Sequence, residues 1–90
     1  MPVVDSVNTD LTGNWLPAGD RMHITMHATP GGRAFFRIRN IVGEQKMEET
    51  SPGLYEAWWR CPDDKDCRIV HSDILCFVLI GDRATAEKHP

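Results

Sequence analysis

The chain has 90 residues, 41% of them hydrophobic and 26% charged, and a net charge of −3. That balance describes one small globular domain, residues 1–90, and excludes a disordered chain. Its longest apolar run, "ILCFVLI" at Ile74–Ile80, is too short to span a bilayer. The start "MPVVDSVNTD" lacks the basic opening and apolar core of a secretion signal. No membrane association and a cytoplasmic location are therefore expected.

In chain order, residues 1–10 read as a loose terminus and "LTGNWL" as an opening strand. "RMHITMHA" alternates Met22, Ile24, Met26 and Ala28 with Arg21, His23, Thr25 and His27, the period of a strand with one apolar face. "TPGGR" has turn chemistry, and "AFFRIRNIV" reads as the returning strand, so residues 22–28 and 34–42 are expected to form a β-hairpin. "GEQKMEETSPG" is polar, closes on Pro-Gly and reads as a loop with room for one helical turn. "LYEAWWRC" is a strand, "PDDKD" a tight reversal and "CRIVH" the strand pairing back. "SDILCFVLIGDR" supplies the most buried strand, and residues 84–90 read as a short helix or a loose tail. The expected fold is all-β, an antiparallel meander of five or six strands that forms a curved sheet or small barrel with at most one short helix.

The cysteines of "RCPDDKDCR" would face each other across such a reversal. Paired antiparallel residues lie about 4.5–5.5 Å apart at Cα, within disulfide range. A Cys61–Cys67 disulfide would stabilise the fold by roughly 2–2.5 kcal/mol in the chain-entropy model. A reducing cytosol opposes it, so the expected state is a pair of thiols able to oxidise. Zinc would draw on Cys61, Cys67 and His71, with His23 or His27 to complete a set, but the C-x5-C spacing matches no closed zinc pattern. Asp63, Asp64 and Asp66 lack the alternating ligands of a calcium loop. Neither metal nor cofactor is expected, and Cys76 reads as a small core hydrophobe.

Adjacent strand residues point to opposite faces of a sheet. Phe35–Phe36 and Trp58–Trp59 must therefore place one ring on each side, and a chain of this size has little left to cover a second face. From Arg21 to Gly43 there are four arginines and no carboxylate, whereas Glu44 to Asp73 holds eight acids and four bases. Exposed aromatics beside arginines suit a protein interface. Trp58, Trp59, Phe35, Phe36, Arg37 and Arg39 are the candidate contact residues for another protein or a second copy of the chain.

No nucleophile elbow, phosphate-binding loop, zinc-protease or dinucleotide motif is present. Glu56 and Asp73 are the one imaginable carboxylate pair, and nothing singles them out, so no enzyme is expected. The acidic second half disfavours nucleic acid.

"LTGNW" (Gly13, Asn14, Trp15) resembles the G-x-W opening of the lipocalin-like (calycin) barrels. Arg83 after the last long strand stands where those barrels pack a basic residue across the tryptophan. The resemblance implies an up-and-down barrel with Trp15 and Arg83 as a structural clasp. The functional expectation is a non-enzymatic protein-binding module of the inhibitor, immunity or accessory-subunit type, or a homodimer. The alternative is a small barrel that binds a small ligand or single-stranded nucleic acid.

Overall fold

The computed structural model describes residues 2–90. Its strands are β1 (Val4–Thr9), β2 (Trp15–Leu16), β3 (Arg21–Ala28), β4 (Arg33–Ile38), β5 (Val42–Ser51), β6 (Leu54–Arg60), β7 (Cys67–Arg68), β8 (Ile74–Ile80) and β9 (Arg83–Ala84). Among the described residues the only helical turn is the 3-10 turn His71–Asp73, and no helix is long and apolar enough to cross a membrane.

The fold is all-β. Seven strands form one curled antiparallel sheet, a half-barrel, in the order β1-β3-β6-β5-β4-β8-β9, and β2 pairs with β7 beside it. Strand parity follows the sequence. Met22, Ile24, Met26 and Ala28 of β3, Ala34, Phe36 and Ile38 of β4, and Ile74, Cys76 and Val78 of β8 point into one shared core with Tyr55 and Met47. Burying a ring such as Phe36 stabilises the fold by about 2–3 kcal/mol.

The expected hairpin of residues 22–28 with 34–42 does not form. β3 lies between β1 and β6, whereas β4 lies between β5 and β8. The Thr29–Gly32 segment is an arch that carries the chain from one half of the curl to the other, so the apolar faces of β3 and β4 meet through the core. A side chain at Gly32 would place its Cβ 2.5 Å from Val78 Cγ2, which shows how closely the arch passes over β8. Tyr55 and Glu49 fix it. The Tyr55 hydroxyl donates to Thr29 O (2.7 Å) and accepts from the Gly32 N–H (3.0 Å). One Glu49 oxygen accepts from the N–H groups of Gly31 (3.0 Å) and Gly53 (2.9 Å), which hold its carboxyl below the ordinary range.

The polar segment expected to be a loop is β5, a ten-residue strand with one buried side chain, Met47. Its first part pairs with β4 and its last part with β6, so it bridges the two halves of the half-barrel. β1, in the segment expected to be loose, likewise has one buried side chain, Val7. A strand with a single core residue shows no alternation in sequence, which is why there are more than the five or six strands expected. The far end of the chain is also paired. Thr85 and Lys88 bond to Val78 and Cys76 along β8.

The "CRIVH" segment does not pair back on β6. Cys67 and Arg68 instead pair with Leu16 and Trp15. The Pro62–Asp66 loop docks on the Pro17–Asp20 turn, where Asp66 accepts from the Ala18 N–H (2.8 Å) and Cys61 exchanges backbone bonds with Gly19 and Asp20.

Candidate functional site

The outward faces of β3 and β6 carry a compact aromatic and charged cluster. His23 and Trp58 are direct cross-strand partners, a placement in which large side chains meet. Their rings stack at 4.2 Å between centroids with 16° between planes, and the Arg21 guanidinium lies 5.0 Å from the Trp58 ring centre. Stacking contributes about 0.5–1.5 kcal/mol and an exposed cation–π contact about 0.5–1 kcal/mol, enough to favour one indole orientation. Trp58 is nevertheless 57% exposed. It is a tryptophan held in place but left uncovered.

Glu56 completes the cluster from below. One of its oxygens lies 2.9 Å from His23 Nε2 and the other accepts from the Thr50 hydroxyl. The Thr50 bond, with the His23 interaction added, holds the Glu56 carboxyl below the ordinary range. Arg60, on the same face, is committed elsewhere, to Gly19 O (3.1 Å) and Asp63 (2.7 Å). Arg21 makes no ion pair among the described residues, so it is the cation free to meet a partner.

The residues singled out from sequence fall in three places. Trp58 is on this face. Phe35 is on the outward face of β4, stacked on Phe77 at 5.4 Å, with Arg37 nearby in a two-point ion pair to Glu87 (2.6 and 2.8 Å). That pair raises the Arg37 pKa and lowers the Glu87 pKa. Phe36 is core, 2% exposed. Trp59 turns inward and, with Arg39, lines a cleft of about 490 Å³ at one end of the half-barrel. The doubled aromatics do put one ring on each side of the sheet. They do not assemble into a single surface.

The partners of Trp58 were not among those residues. The alternation in sequence places His23 on the polar face of its strand, but only the β3–β6 register brings it to Trp58. The alternation of "RMHITMHA" against "LYEAWWR" was the available signal, and it required knowing which strands are neighbours.

All three cysteines are free and buried. Cys61 and Cys67 stand at the two ends of the Pro62–Asp66 loop, and the Cys61 thiol donates to Lys65 O (3.1 Å). Burial, reinforced by Cys67, pushes Cys61 up to about 11, and burial alone pushes Cys76 up to about 12. The His71 ring turns to Leu11 O (3.2 Å) rather than to the cysteines. No three His, Cys, Asp or Glu side chains among the described residues converge as metal ligands. Glu56 stands in the Trp58 cluster, and Asp73 lines the cleft. Trp15 lies half-exposed on β2 opposite Arg68, and Arg83 lies exposed on β9. Comparison with protein-family models, curated proteins and solved structures finds no match for this chain.

Proposed function

We propose that the chain is a small non-enzymatic protein-binding module, of the inhibitor, immunity or accessory-subunit type, whose contact face is the outward side of β3 and β6. The observation that carries this reading is Trp58, more than half exposed yet braced by His23 and Arg21. Interface anchors are enriched in tryptophan and arginine, and an anchor already in its bound orientation loses less entropy on association. The indole supplies apolar area, and Arg21 supplies a directional contact to a carboxylate on the partner. The expected partner surface is a small apolar pocket with an acidic rim, on another protein or on a second copy.

The test has two parts. Native mass spectra across protein concentration read self-association, and crosslinked complexes from the source cells read a foreign partner. In either case Trp58→Ala should weaken association by about thirtyfold, the size of a typical hot spot, while Phe35→Ala leaves it within about twofold. A chain that stays monomeric and captures nothing in a Trp58-dependent way would end this reading.

A further inference from the structure

The cleft at the end of the half-barrel is separate from the Trp58 face and has its own chemistry. It runs between the Arg39–Val42 turn and the Pro62–Arg68 segment, with Trp59 as its aromatic wall. Its volume, about 490 Å³, lies within the range of small-molecule sites, about 300–1,000 Å³. Three cations, Arg39, Lys65 and Arg68, line it against two acids, Asp66 and Asp73. None of the three cations makes an ion pair among the described residues. Asp66, by contrast, already holds the Ala18 N–H. With three cations against two acids the cleft carries one net positive charge, on a chain that is acidic as a whole.

The rim is also fixed before any ligand arrives. The Arg39 N–H donates to Asp73 O (2.9 Å) and ties the turn to the 3-10 segment, and Asn40 adopts a left-handed φ of 66° that sets the direction of the turn. On the other wall the Cys61 thiol holds Lys65 O. A flat apolar body laid against Trp59 would direct an acidic group toward Arg39 and Arg68, which can grip it through two bonds each.

We propose that this cleft binds a small organic anion with a flat ring system. The proposal is independent of the protein-binding reading, since it shares no residue with the Trp58 cluster.

The probe is naphthalene-2-sulfonate, followed through the indole N–H signals of the three tryptophans by two-dimensional NMR. Naphthalene-2-methanol serves as the uncharged ring and inorganic phosphate as the ringless anion. The sulfonate should shift Trp59 and leave Trp58 still. It should bind at least about tenfold more tightly than either control, because both the ring and the charge are recognised. Arg39→Ala and Arg68→Ala, both at exposed side chains, should each weaken it about tenfold, the scale of one lost charge-assisted bond. Lys46→Ala, which removes an exposed cation elsewhere, should leave binding unchanged. The proposal is overturned by no Trp59 shift at millimolar probe, by equal binding of the uncharged ring, or by arginine variants that bind normally. It is equally overturned if octathymidylate binds the cleft more tightly than the sulfonate, since that would make it a strand-binding groove.

Discussion

The two outward faces of the half-barrel begin with the same ingredients and end differently. On β4 and β8, Phe35 stacks on Phe77, Arg37 is clamped by Glu87, and Leu75 is buried at 7% exposure although it stands apart from the main core. On β3 and β6, Trp58 stacks on His23 under Arg21, and no acid closes on that arginine. The difference is the chain's own C-terminal segment, which runs beside β8 and brings Glu87 to one face only. An aromatic and an arginine on a strand do not by themselves make a binding surface. What matters is whether the chain's own acid closes on the arginine, as Glu87 does on Arg37 and Glu56, turned to His23, does not on Arg21.

The comparison is broken most directly by truncating one ring on each face. Phe77→Ala should destabilise the domain by about 2 kcal/mol, the scale of a partly buried aromatic. Trp58→Ala should cost about 1 kcal/mol, the scale of its exposed stacking and cation–π contacts. Urea unfolding reads both. Equal losses would mean that the two faces are equally structural.

Acid titration sharpens it next. Glu87 and Glu56 both have lowered pKa values, Glu87 through the Arg37 hydrogen bond and Glu56 mainly through Thr50. A carboxylate depressed in the folded state adds stability that is present above its ordinary pKa and lost as pH falls through the depressed one. Thermal midpoints of the wild type should therefore fall on acidification below the ordinary carboxylate range. Glu87→Gln and Glu56→Gln should each lower the midpoint at neutral pH and flatten that acid-side slope. A slope that both variants leave intact would assign the acid sensitivity to other carboxylates, of which Glu49 is the first candidate.

The smallest effect expected is that of His23→Ala. It should cost about 0.5 kcal/mol, the low end for one exposed stacking contact, and loosen the indole, seen as a lower order parameter for the Trp58 side-chain N–H. If that N–H stays equally rigid, Arg21 alone holds the ring.

Sequence pattern revealed faces but not neighbours. The alternation in β3 correctly separated Met22, Ile24 and Met26 from His23 and Thr25, because side-chain period is a property of one strand. Which strand lies alongside is decided by the whole core, and "TPGGR" suits an arch as well as a hairpin. β5 was illegible for another reason: its hydrogen bonds run to both β4 and β6 while only Met47 is buried, so its side chains read as a loop. The candidate site was half legible in the same way. The exposure of one tryptophan follows from "WW", but its His23 and Arg21 braces come from a strand distant in sequence.

The arch between β3 and β4 also has a consequence for synthesis. A hairpin would let β3 find its downstream neighbour within a few residues of leaving the ribosome. Here that edge of β3 waits until Leu54–Arg60 have been made, while β4, β5 and β6 close locally as they emerge. Long-range pairing of this kind slows folding and prolongs the exposure of apolar strands. In the nascent chain, the first half of the protein is the part that must be kept from sticking.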